Sequence, residues 1–144
     1  VMYKITRKFT FDAGHRIYGH ESKCAHVHGH TYTAYVTCAP DHTLDDLGRV
    51  VDFSVVKKEV GAWIDQFLDH GMILCTRDPL VQEWRRWANE GTKHKVYMMT
   101  RNPTAENIAE LIYVEGNRLL NHYGVHVVRV KIQETPNCSA TYEE

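Results

Sequence analysis

Apolar and polar residues alternate from Tyr3 to Ala13: Tyr3, Ile5, Phe9, Phe11 and Ala13 share one parity, while Lys4, Thr6, Lys8, Thr10 and Asp12 share the other. Arg7 alone interrupts the apolar side. Period two with aromatic and β-branched residues predicts a strand with one buried face. Thr31 to Ala39, rich in Tyr, Thr and Val, predicts a second. The stretch between them, Gly14 to Gly29, is poor in apolar residues and reads as a loop, long for a hairpin, and long loops in compact domains are usually functional or disordered. Val56, Val60, Trp63, Ile64, Phe67 and Leu68 then recur at helical spacing, with Asp52 or Ser54 as cap and His70-Gly71 as stop. Leu80, Trp84 and Trp87 can line a short helix stopped by Asn89 to Gly91, and Val96 to Met99 reads as a short extended piece.

A second clear helix begins at Thr104, its N-cap, and buries Ile108, Ala109, Ile112, Leu119 and Leu120 before Gly124. Alternation returns over Val125 to Glu134, and Ala140 to Tyr142 can form a last strand after Pro136-Asn137. The long elements run strand, strand, helix, helix, strand, strand. That order predicts an α+β layer: an antiparallel four-stranded sheet with two long helices on one face.

The chain has 144 residues, which favours a single domain over 1–144 because domains typically run to about 100–150 residues. Hydrophobic residues make up 43% and charged residues 24%, which excludes a disordered chain. A formal charge of −1 gives no electrostatic case for a nucleic-acid partner. No apolar run approaches the ~20 residues that span a bilayer, so no membrane partner is expected. The basic start, Val1 to Lys8, has no apolar stretch after it and does not read as a signal peptide. The four cysteines, Cys24, Cys38, Cys75 and Cys138, are scattered without a C-x-x-C pair, and they read as reduced thiols of a cytoplasmic protein.

Histidine changes the picture. There are ten, and five lie between His15 and His30. His28 and His30 open the second strand two residues apart, so their imidazoles share a face. His15 follows the first strand on its buried parity. If the two strands pair as a hairpin, the three meet at one end, and three histidines with an open fourth position are the ligand set of a catalytic zinc. Cys24, four residues before His28, is either a fourth ligand that closes the site or a base or nucleophile whose thiolate a nearby cation favours. Asp69-His70 reads first as the polar end of a helix, and a functional pair would need to approach Cys24 in space. Glu134 shares parity with Val128, Val130 and Ile132, which sets a carboxylate on the buried face. Two adjacent N–H groups of a ligand, or equally a protein partner such as an arginine, would satisfy it.

Six segments in order resemble the 6-pyruvoyl-tetrahydropterin synthase / 6-carboxytetrahydropterin synthase family: Phe11-Asp12-Ala13-Gly14-His15, Cys24 through His28-Gly29-His30, Asp52-Phe53 ahead of Lys57, Leu68-Asp69-His70, Pro103-Thr104-Ala105-Glu106-Asn107, and Glu134-Thr135 with Tyr142. The resemblance implies the tunnelling fold, a β-β-α-α-β-β unit. It implies that His15, His28 and His30 bind Zn2+, that Cys24 is the catalytic base, and that Asp69 and His70 complete a proton relay with it. Glu134 would anchor the pterin, with Thr104 and Glu106 close by. Family members are homo-oligomers, hexamers or tetramers, with active sites between subunits.

The implied reaction is that of a zinc-dependent lyase. It converts 7,8-dihydroneopterin triphosphate to 6-carboxy-5,6,7,8-tetrahydropterin with loss of triphosphate and acetaldehyde, in the pathway to queuosine. The three-residue gap between Cys24 and His28 resembles the bacterial carboxy-forming enzymes, while the pyruvoyl-forming animal enzymes have a longer gap. A 6-pyruvoyl-tetrahydropterin synthase and a non-catalytic zinc- or pterin-binding protein are the alternatives. The departure from compact members is the segment at 76–102, rich in Trp and Arg.

Overall fold

The computed structural model describes residues 2–144. β1 (Ile5–His15) and β2 (His28–Pro40) form the central antiparallel hairpin, with Phe11 opposite Tyr32 and His15 opposite His28. β2 pairs with β5 (Val125–Thr135), and β5 with β6 (Cys138–Glu143), both antiparallel. On the other side β1 pairs in parallel with β3 (Gly71–Cys75), which pairs in parallel with β4 (Val96–Met99). The expected antiparallel four-stranded sheet with two long helices is thus corrected to six strands in the order β4-β3-β1-β2-β5-β6, served by three helical stretches.

The physical reason lies in β3. Met72 to Cys75 is a short, continuously apolar run with no alternation to mark it as a strand. Its parallel pairing also explains the extra length at 76–102. Parallel neighbours need a crossover of about a dozen residues or more, and here α3 (Leu80–Asn89) supplies it between β3 and β4.

The first helical stretch is α1 (Phe53–Val56), a π-helical turn (Lys57–Gly61) and α2 (Ala62–Phe67). Asp52 caps it by accepting from the Ser54 N–H at 2.8 Å. Gly61 sits against the Phe9 ring, where a Cβ would come within 2.8 Å of the ring edge. α4 (Ala105–Leu120) is capped by Thr104, which accepts from the Asn107 N–H at 3.1 Å. Its stripe of Ile108, Ala109, Ile112 and Leu120 is fully buried, while Leu119 is only partly so. Each large aliphatic side chain buried there contributes roughly 1.5–3 kcal/mol. These helices cover one face of the sheet, where Phe11, Tyr32, Val36 and Val130 meet Val56, Val60 and Ile64.

Candidate metal and pterin site

The hairpin register makes the histidine cluster. With His15 opposite His28 and Ala13 opposite His30, the three imidazoles share the core face at one end of β1 and β2. Their ring centroids are 4.6, 4.9 and 5.1 Å apart, and one ligand nitrogen from each lies within 4.8 Å of the others. His15 Nδ1 donates to the Pro103 carbonyl and His28 Nδ1 to the His26 carbonyl, both at 2.7 Å. A proton held on Nδ1 leaves Nε2 as a bare lone pair. The Nε2 atoms of His15 and His28 stand 3.1 Å apart, and His30 Nε2 is buried with no hydrogen-bond partner. Lone pairs so placed repel unless a cation or a proton lies among them.

The donor set fits a metal ion, because carbonyl-oriented neutral imidazoles are its usual ligands. Burial favours the neutral form. It pushes the pKa of His15 down, against the raising effects of the Pro103 carbonyl and Glu134, and it lowers that of His30 likewise. No cysteine sulfur joins the three nitrogens among the described residues.

Glu134 arrives at the same place through an irregularity. Gln133 pairs with Ser139 and Thr135 with Cys138, so Glu134 is an extra residue in β5 at its junction with β6. Bulges of this kind re-aim a side chain. Here the Glu134 carboxylate comes 3.5 Å from His15 Nε2 and 3.7 Å from His30 Nε2. Among the described residues no arginine pairs with it, and the nearest protein groups to its carboxylate are those two imidazoles.

The other expected residues are placed differently. Cys24 lies on a short 3-10 turn (Lys23–Ala25) in the loop between β1 and β2, and is partly exposed. Thr104 adjoins Pro103, whose carbonyl holds His15, whereas Glu106 is exposed in the first turn of α4. Asp69 and His70 follow α2, which stops at Phe67, so the pair lies in a turn and not in the helix.

His70 has φ +58°, the left-handed region that few non-glycine residues adopt. Its N–H donates to the Asp12 carbonyl at 2.6 Å. Asp69 accepts from the Asp12 N–H through one oxygen and binds His70 Nδ1 through the other, both at 2.9 Å. Burial alone would raise the Asp69 carboxyl, but the Asp12 amide, the His70 ring and Lys95 outweigh it and hold it below its ordinary value. The side chains of Asp12, Asp69 and His70 gather on the outer face of the sheet. Thr31 donates to Asp12 there at 2.5 Å, and a shallow cleft of about 440 Å³ opens beside them. The imidazole cluster and the Asp69–His70 pair therefore lie on opposite faces of one sheet.

Sequence reasoning passed over three contributors: the Pro103 carbonyl, Asn102 and the Arg16–Asp78 pair. A carbonyl has no residue signature, and Asn102 is unremarkable in composition. Asp78-Pro79 ahead of a helical stripe is a readable start signal, and Asp78 does accept from the Leu80 N–H at 2.9 Å.

A helix-backed sheet with three imidazoles and a carboxylate at the mouth of its central hairpin defines an α+β protein able to hold a metal ion beside an acidic anchor. The chain belongs to the 6-pyruvoyl tetrahydropterin synthase family, whose profile matches residues 4–144. It is 41% identical over 140 residues to the 6-carboxy-5,6,7,8-tetrahydropterin synthase of Rickettsia bellii, covering 95% of this chain and 97% of that protein. It is 32% identical to the enzyme of the same name from Aquifex aeolicus, covering 99% and 98%. Among solved structures, an uncharacterized protein of Wolinella succinogenes superposes with a TM-score of 0.86 at 23% identity, covering 100% and 99%. The 6-pyruvoyl tetrahydropterin synthase of Caenorhabditis elegans gives 0.70 at 22%, covering 100% and 96%. These two likenesses are of fold. No helix of the described residues is long and apolar enough to cross a membrane.

Proposed function

We propose that the protein is a zinc-dependent lyase that converts 7,8-dihydroneopterin triphosphate and one water to 6-carboxy-5,6,7,8-tetrahydropterin, triphosphate and acetaldehyde. The observation that carries this reading is the convergence of three imidazole nitrogens beside Glu134. The relatives named as carboxy-forming synthases support the product.

His15, His28 and His30 hold the zinc, which when bound supplies Lewis acidity to the hydroxyls of the substrate side chain. Glu134 accepts two N–H bonds from the pterin's pyrimidine edge, a planar bidentate contact that sets the ring's orientation. Thr104, beside the carbonyl that orients His15, and Glu106 flank the pterin. Cys24 stands outside the trio of nitrogens and leaves the fourth position open. As thiolate it takes a proton from the side-chain carbon, and triphosphate leaves by elimination. Asp69 fixes the His70 ring through Nδ1, so Nε2 is the atom that accepts and returns a proton.

Because the sheet separates Asp69 and His70 from the histidines of the same chain, the relay serves a Cys24 on a second copy. The active form is then a homo-oligomer, a hexamer or tetramer, with sites between subunits. Such an assembly also covers the open strand edges of β4 and β6.

The test is incubation of the zinc-loaded protein with dihydroneopterin triphosphate, followed by mass analysis of the pterin and aldehyde. Equal amounts of carboxytetrahydropterin and acetaldehyde are expected. A pyruvoyl product without acetaldehyde replaces the carboxy reading, and binding without turnover removes the enzymatic one.

A further inference from the structure

The loop that carries Cys24 is gripped from outside at two points, and both grips come from the segment 76–102. Within the loop, the Ile17 N–H donates to the Cys24 carbonyl at 2.8 Å, so residue 17 is the rung on which the cysteine hangs. Its two chain neighbours are each clamped by a planar group. The Arg16 guanidinium donates to both oxygens of Asp78, at 2.7 and 2.5 Å, and Asp78 is only 2% exposed. The Asn102 amide accepts from the Tyr18 N–H at 2.9 Å and donates to the Tyr18 carbonyl at 3.0 Å. Two parallel bonds fix a plane as well as a distance, so neither neighbour can slide or swivel without breaking a pair.

Asn102 also ties the loop to the metal cluster. Its carbonyl accepts from the Thr104 N–H at 2.9 Å and from Asn107 Nδ2 at 2.8 Å, which locks the turn that opens α4. The next residue in that turn, Pro103, holds His15 through its carbonyl at 2.7 Å. One turn therefore sets both the Cys24 loop and one imidazole of the cluster.

We infer that Asp78 and Asn102 are positioning residues, which fix where Cys24 stands against the three histidines. The inference rests on the reading of Cys24 as the base. It gives the segment 76–102 a task beyond crossing from β3 to β4. A reacting group displaced by about 1 Å can lose on the order of 100-fold in rate, so loosening either clamp should lower turnover while leaving the groups that bind substrate and metal in place.

The test compares the zinc-loaded wild type with Asn102→Ala, Asp78→Asn and Arg16→Lys. Arg16→Lys keeps the charge and loses the fork. It serves as the second variant if Asp78→Asn does not fold. Four quantities are measured: kcat and KM with dihydroneopterin triphosphate, zinc content, melting temperature, and the rate of Cys24 alkylation by iodoacetamide read by peptide mass mapping. The expected result is a fall in kcat of about 100-fold, with KM and zinc content within about threefold of the wild type. Cys24 alkylation should quicken by about threefold or more as the loop is released. A lowered melting temperature with unchanged kcat and unchanged Cys24 alkylation, well below the melt, overturns the inference and makes the clamps structural only. A wild type without turnover refutes the reading of function instead. The alkylation rates then judge the clamps alone, and unchanged rates overturn them.

Discussion

Glu134→Gln isolates the anchor from the metal. The Glu134 carboxylate lies 3.5 and 3.7 Å from two imidazole nitrogens, too far for a hydrogen bond to either, so its acceptor sites are uncommitted. A pterin edge offers two parallel N–H groups, and a hydrogen bond to a charged acceptor is worth about 1.5–3 kcal/mol. Glutamine keeps one acceptor oxygen but turns an NH2 group toward the second N–H. One bond is lost and a donor is left facing a donor. The expected cost is about 2–4 kcal/mol, or roughly 30- to 1000-fold in Kd. Fluorescence titration with 6-carboxypterin reads the affinity, and zinc is assayed on the same sample. Exposed Glu106, changed to glutamine, is the control and should matter less. A Kd within about threefold of the wild type, with zinc retained, would refute the bidentate anchor. Loss of zinc in Glu134→Gln would refute it differently, by making the carboxylate part of the metal's own shell.

His28→Ala should lose most of its zinc and keep its circular dichroism spectrum, because the core rests on the sheet and helix stripes and His28 itself is only partly buried; stoichiometric zinc in that variant would be the contrary result. Cys24→Ala should retain zinc and bind 6-carboxypterin yet lose about two to four orders of magnitude in kcat, the usual worth of a positioned acid–base group. Zinc lost with the thiol would make Cys24 a ligand. Asp78 gives a pH dependence. Burial would raise its carboxyl, but the bonds from Arg16 and the Leu80 N–H and the Arg16 charge outweigh this and hold it below its ordinary value. A depressed folded-state pKa adds stability that is complete above the unfolded value of about 3.9 and drains away as pH falls through the folded value. The excess stability of the wild type over Asp78→Asn in urea melts should therefore shrink on acidification below about pH 4, and an excess independent of pH contradicts the assignment.

Much of this molecule is legible in its sequence alone. Alternation over Tyr3 to Ala13 located β1, and the helical stripe with its Thr104 cap located α4, because period and capping are local properties of the chain. The i, i+2 spacing of His28 and His30 already put two imidazoles on one face, and the hairpin pairing then brought His15 to them. Parity with Val130 and Ile132 also put Glu134 on the core side of β5, but the same parity fails at Val128, because the β2–β5 register shifts at Thr37/Cys38 and Val127 joins the core instead.

The rest depended on which segments become neighbours. Nothing local distinguishes β3 as a strand, since its apolar run suits a buried helix or a buried strand equally, and parallel pairing with β1 decides it. The bulge that turns Glu134 toward His15 and His30 exists only where β5 meets β6. The faces on which the imidazoles and the Asp69–His70 pair lie follow from the pleat of β1 and from the turn with His70 in the left-handed region, which the residues 67–71 do not announce. Arg16 and Asp78 are 62 positions apart, and Tyr18 and Asn102 are 84 apart. Sequence periodicity extends over a turn or a strand, whereas these contacts are closed by the packing of the whole chain. The residue types able to do the chemistry were therefore written in the sequence, and their relative placement was a product of the tertiary structure.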